Sequence, residues 1–211
     1  MFRLSGLKAH SKYMSLKNNI EQQVMESIQT QQLIVDELSE EIEFAAQQIV
    51  QALLADKKIL SCGNAASVSS VQYFTAIMIN RYERVRPSLP AISLVNDVQM
   101  ITSIANTQHY DDVFAKQLRA LGQAQDVLLI FSVEGSAVNL VKLINAAHDK
   151  QIAVILLVGE NETTLPTLLH EADVCVSVPS QSAQRIHEGH LLITHCLCDL
   201  VDSQLFGHSS I

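Results

Sequence analysis

The sequence predicts an α/β fold: a three-layer αβα sandwich on a five-stranded parallel sheet, preceded by N-terminal helices. Five short apolar runs, at 59–62, 91–95, 127–131, 153–158 and 174–178, are rich in Val, Ile and Leu and do not strictly alternate with polar residues. Strands covered by helices on both faces have that composition. Helical patterns fill the intervals at 67–80, 97–106, 111–121 and 138–148, with a short one at 164–169 and a last one at 183–205. Such strand–helix alternation argues for a parallel sheet with both faces covered.

Composition narrows the function. The chain has 211 residues, 48% of them hydrophobic and 17% charged, enough for one domain with a large core. Net charge is −8, and no basic block occurs beyond the loose set Arg81, Arg84 and Arg86. Direct binding to nucleic acid, which wants a basic face, is excluded on that ground. Cys196-Leu197-Cys198 is too tightly spaced for a zinc knuckle, so all four cysteines read as reduced, buried thiols of a cytoplasmic protein. No apolar stretch is long enough to span a bilayer, so no membrane partner is expected.

Residues 1–15 read as a leader, with Met14 available as a second start. Residues 16–56 read as a helical arm for oligomerisation. Ile20, Val24 and Ile28 recur every four residues, and after Thr30 a second helix carries Leu38, Ile42, Ala45, Ile49 and Leu53. Two helices ahead of the first strand bury their faces poorly on a sheet alone, so they are expected to pack on another subunit. The sandwich domain then covers 57–207, with Pro87-Ser88-Leu89-Pro90 a stiff loop into the second strand and 208–211 a tail.

The most informative segment is Cys62-Gly63-Asn64-Ala65-Ala66-Ser67, between the first strand and the helix that follows. A tight turn leading into a helix N-terminus is where open α/β proteins place an anion. Gly63 serves the turn, Asn64 offers side-chain hydrogen bonds, and Ser67 is the expected N-cap. A purely structural crossover would use the same residues. The second turn, Ser132-Val133-Glu134-Gly135-Ser136-Ala137, follows the third strand and offers hydroxyls only at Ser132 and Ser136. A phosphate ~4 Å from the Glu134 carboxylate would be repelled by about 4 kcal/mol at an effective dielectric of ~20, unless that side chain swings away.

The last helix carries His187, Glu188, His190 and His195. Three imidazoles and a carboxylate could bind zinc; a polar face bonded to its neighbours is the alternative. No cofactor is expected, and His187 and His195 are the residues that would hold zinc if it bound. The helix ends at Leu205-Phe206-Gly207, either as an exposed apolar anchor for a partner or as a cap packed on the subunit's own surface.

Segments 62–74, 80–92, 105–126, 131–135 and 185–198 together resemble the SIS-domain (sugar isomerase) family, within the branch of phosphoheptose isomerases and DnaA initiator-associating proteins. Glu26-Ser27-Ile28-Gln29-Thr30-Gln31, Asn80-Arg81-Tyr82-Glu83 and Cys196-Leu197-Cys198-Asp199-Leu200 are most similar to the initiator-associating group. The resemblance implies an SIS fold assembled as a homotetramer through the N-terminal helices. It also implies a phosphosugar pocket at Gly63, Asn64, Ser67, Asp97, Ser132, Glu134, Gly135, Ser136 and Gln184.

Departures from the isomerase pattern shape the functional expectation. Tyr73 stands where phosphoheptose isomerases carry a metal-binding His. Ile77 stands where they carry a Glu for proton transfer, His187 replaces a Gln ligand, and only His195 matches the catalytic His. An isoleucine cannot move a proton. The resulting expectation is a non-catalytic regulator of DNA replication that binds DnaA through Leu205 and Phe206. The alternative is a phosphoheptose isomerase acting on sedoheptulose 7-phosphate, or a phosphosugar-binding sensor.

Overall fold

The computed structural model describes residues 16–133, 135 and 137–207. The order is α1 (Leu16–Leu54), β1 (Ile59–Gly63), α2 (Ser67–Ile79), β2 (Ala91–Ser93), α3 (Val98–Thr107), α4 (Val113–Leu121), β3 (Val127–Phe131), α5 (Val138–Asp149), β4 (Ala153–Gly159), β5 (Val174–Val178) and α6 (Ala183–Phe206). Single 3-10 turns at Tyr110–Asp112 and Leu165–Leu168 complete it. All strands are parallel, in the order β2-β1-β3-β4-β5, with Ile59 in register with both Ala91 and Val127. Every residue of β1 and β3 is buried, the consequence of helices on both faces. α1, α2 and α6 pack together, as do α3, α4 and α5. The αβα sandwich expected from the sequence is therefore the one observed.

The N-terminal region differs from the expectation of two helices. It is one helix of 39 residues. No Gly or Pro interrupts 16–54, so nothing stops propagation through Thr30. The apparent break is a change of face. Ile20, Val24 and Ile28 are exposed, whereas Ile34, Leu38, Ile42, Ala45 and Ile49 form a buried stripe against the rest of the subunit. The second stripe is internal core, which corrects the expectation that it packs on a partner. Gly189 lets α6 sit close, because a Cβ there would lie 2.9 Å from both Val178 Cγ atoms and 3.1 Å from Ile34 Cδ1.

The far end of α2 is tied to α6 by one buried arginine. Arg86 donates through its two terminal nitrogens to the carbonyls of Ile77 and Met78 and through Nε to Asp202. Leu205 packs against the core, and both it and Phe206 border a cavity with Leu53 and the 87–90 loop.

Candidate functional site

The sheet order changes direction between β1 and β3, so the loops leaving these strands diverge to opposite faces and open a crevice. A cleft of about 160 Å³ lies there, formed by the 64–67 turn, by Phe131–Val133 with Ala137, and by His187 of α6. Gly63 permits the close approach. A Cβ at this position would lie 2.8 Å from the Phe131 carbonyl oxygen and 2.9 Å from Ser67 Cβ.

Ala65 then takes φ 49°, the left-handed region, which costs a non-glycine residue about 1–2 kcal/mol. Ala66 follows at φ −64° and ψ −24°. Left- and right-handed residues in succession turn their amides to one side and form an anion-binding concavity. The amides of Ser67, Val68 and Ser69 donate to the carbonyls of Asn64, Ala65 and Ala66. Among the described residues, the amides of Ala65 and Ala66 donate to no backbone carbonyl. They stand at the positive end of a 13-residue helix, ready for an anion. Ser67 is not the cap expected from the sequence. Ala66 holds that position without a side-chain bond, and Ser67 is buried as the first helical residue.

Across the cleft, Ser132 donates its amide to the Leu157 carbonyl at 2.9 Å and its hydroxyl to the Gly135 carbonyl at 3.5 Å. Gly135 adopts φ 61°. Glu134 and Ser136 lie outside the described residues. The first turn of α5, beyond them, is joined to the 64–67 turn by two reciprocal side-chain bonds. Asn64 Nδ2 donates to Asn139 Oδ1 at 3.0 Å, and Asn139 Nδ2 donates to Asn64 Oδ1 at 2.9 Å.

A second cluster lies further along the α2–α6 contact. Tyr73 Oη and His195 Nε2 are 3.1 Å apart, with ring centroids at 5.6 Å in an edge-to-face arrangement. Tyr82 flanks the same imidazole at 5.8 Å. Desolvation, with repulsion from Glu83 and Asp199, pushes the Tyr82 phenol up. Ile77, one turn beyond Tyr73, packs against the core.

The α6 residues do not fit a metal. His195 is engaged with Tyr73, and Glu188 accepts from Arg185 at 2.7 Å. His190 is fully buried, contacts the Val158 carbonyl at 3.3 Å, and is pushed down to about 4 by burial. His187 and His195 are eight residues apart, about 12 Å along the helix. Among the described residues, the group whose ligand atoms do converge is His148, His170 and Asp173, at the opposite edge of the sheet. Asp173 there accepts from His148 and from the amides of Val154 and His170, which accounts for the cluster structurally.

Of the other residues named from the sequence, Asp97 is the N-cap of α3, accepting from the Met100 amide at 2.8 Å. Gln184 is exposed and accepts from Ser182 Oγ. Neither borders the cleft. Sequence reasoning missed Asn139 and the Tyr73–His195 pair. Attention to hydroxyls in the second turn passed over the amide just beyond it, and no spacing rule links residues 122 positions apart.

A three-layer sandwich with a cleft at the switch point of its parallel sheet defines the class of open α/β proteins. The chain belongs to the SIS domain family, whose profile matches residues 22–159. It is 47% identical over 194 residues to the phosphoheptose isomerase of Alkalilimnicola ehrlichii, covering 92% of this chain and 99% of that one. The phosphoheptose isomerase of Methylococcus capsulatus is 46% identical, with coverage of 92% and 100%. The structure of a phosphoheptose isomerase from Francisella tularensis superposes with a TM-score of 0.84 at 35% identity, over 90% of this chain and 100% of that one. Phosphoheptose isomerase GmhA from Neisseria gonorrhoeae gives 0.82 at 35% identity, with the same coverage.

These relationships correct the expectation of a DnaA-binding replication regulator. Relatives aligned over nearly their full length are named as isomerases, and they support the phosphosugar alternative instead. The partner surface assigned to Leu205 and Phe206 falls with it. Leu205 is partly buried against its own core, as in the cap alternative. No helix is long and apolar enough to cross a membrane among the described residues.

Proposed function

We propose that this protein binds a sugar phosphate in the β1/β3 cleft, and that its reaction is a slow ketose–aldose isomerisation of a heptose phosphate. The observation that carries the reading is the pair of unengaged amides at Ala65 and Ala66, at the start of α2. They suit the phosphate. Tyr73 of the Tyr73–His195 pair stands seven residues beyond Ala66, about 10 Å by helical rise. An extended seven-carbon sugar with its phosphate ester is of similar length, which suits a pose with the phosphate at the amides and the carbonyl end towards the Tyr73–His195 pair.

In the ketose-to-aldose direction a proton leaves C1 and returns to C2, while the hydroxyl proton shifts from O1 to O2. The His195 imidazole would carry the first and the Tyr73 hydroxyl the second, exchanging their mutual bond for bonds to the sugar. Ile77 supports a second reading, that of a sensor that binds without turnover, because the position one turn beyond Tyr73 carries no ionisable side chain to act as a base. Four free thiols, all at least partly buried, support a cytoplasmic setting. Calorimetric titration with sedoheptulose 7-phosphate, followed by NMR detection of product, tests both readings. Binding with His195-dependent product supports the isomerase, binding alone supports the sensor, and no binding overturns the phosphosugar assignment.

A further inference from the structure

We propose that Asn139 is a positioning residue for this cleft, one that holds the left-handed turn at Ala65 in its anion-binding shape through its paired amide bonds with Asn64. The inference rests on the phosphosugar reading of the cleft. It concerns a residue that neither the phosphate nor the sugar need touch.

Three observations converge on it. Asn139 is 2% exposed, so its amide is removed from water and depends on its partner for hydrogen bonds. Both bonds run to Asn64, from the second residue of α5 to the last residue before Ala65, so they tie the start of α5 to the first turn across the crevice. Ala65 itself occupies a backbone region that L residues avoid, with no glycine to relieve it. Such a conformation persists only where its surroundings over-determine it. The immediate surroundings are Gly63, wedged against Phe131, and Asn64, clamped by Asn139.

The pairing also fixes what Asn64 presents to a ligand. Each amide has two N–H donors and two acceptor lone pairs, and the reciprocal arrangement uses one of each. Asn64 is only partly buried, so its second N–H and second lone pair remain for a sugar hydroxyl in one fixed orientation. Losing Asn139 therefore frees both the turn and the direction of the Asn64 side chain.

The experiment compares Asn139→Ala, Ala65→Gly and the double variant, using inorganic phosphate and sedoheptulose 7-phosphate as probes in calorimetry. Asn139→Ala should weaken both probes about three- to tenfold, in line with the loss of a hydrogen-bonded restraint. Glycine takes the left-handed region without strain, so in the Ala65→Gly background the same change should weaken binding less than twofold. A merely structural role for Asn139 would give equal losses in both backgrounds. Equal losses, or no loss, overturn the proposal. Hydrogen exchange of the ligand-free proteins provides a second readout. Faster exchange in Asn139→Ala, confined to the 64–69 amides, supports the clamp, and unchanged exchange there overturns it. Should the wild-type chain bind neither probe, the phosphosugar reading fails, and the exchange measurement still decides the clamp.

Discussion

Arg86 Nε donates to Asp202 Oδ1 at 2.6 Å, in a salt bridge whose side chains are 1% and 6% exposed. The same guanidinium closes the C-terminal carbonyls of α2, so one residue anchors both the helix that begins at the cleft and the helix that carries His187 and His195. Replacing Arg86 by Met would leave Asp202 charged and buried, and one of its oxygens already lacks a partner. The expected cost is about 3–5 kcal/mol of folding stability, measured by urea unfolding. The double change Arg86→Met with Asp202→Leu removes the orphaned charge as well and should recover more than half of that loss.

His190 predicts an acid sensitivity. Burial lowers its pKa from 6.5 to about 4, with a smaller contribution from His187, so the unfolded chain takes up a proton that the folded chain refuses. Stability from this residue is therefore complete above pH 6.5 and falls as pH drops towards 4. The total loss is roughly 3 kcal/mol. His190→Leu should unfold with a shallower pH dependence across that window. Parallel unfolding curves for the two proteins at pH 7 and pH 4.5 would remove His190 from the account.

Restoring the isomerase pattern should raise turnover. Tyr73 and Ile77 are one turn apart on α2, on the side that meets His195. Tyr73→His with Ile77→Glu would place an imidazole and a carboxylate beside it. General acid–base groups typically contribute ~10²–10⁴-fold, so the double variant should convert sedoheptulose 7-phosphate at least about 10²-fold faster than wild type. An unchanged rate would mean that these two positions do not face the reacting carbons.

The first half of α1 should mediate self-association. Ile20, Val24 and Ile28 are 66%, 52% and 55% exposed on one stripe of the helix, an apolar surface that a lone subunit leaves in water. Ile20→Asp with Ile28→Asp should reduce the particle mass in light scattering without loss of helical content. Ile42 and Ile49 are core positions instead, and charges there should unfold the subunit.

Local sequence determined the layers of this protein. Period-free apolar runs marked β1, β3 and β4, because burial on both faces leaves a strand little choice of composition, whereas β5 is a half-buried edge strand whose burial alternates; helical spacing with small-residue turns marked α2 and α6. Gly63 and Asn64 were legible as residues of the turn that borders the cleft, because a strand-to-helix turn with so close a backbone approach admits few residue types. The joining of Asn64 to Asn139, of Tyr73 to His195, and of Arg86 to Asp202 spans 75, 122 and 116 positions. Sequence spacing carries no signal at that range. Those pairs exist because the sheet reverses its winding between β1 and β3 and because α6 returns across α1 and α2. The tertiary structure alone decided which polar groups lost water and had to find one another.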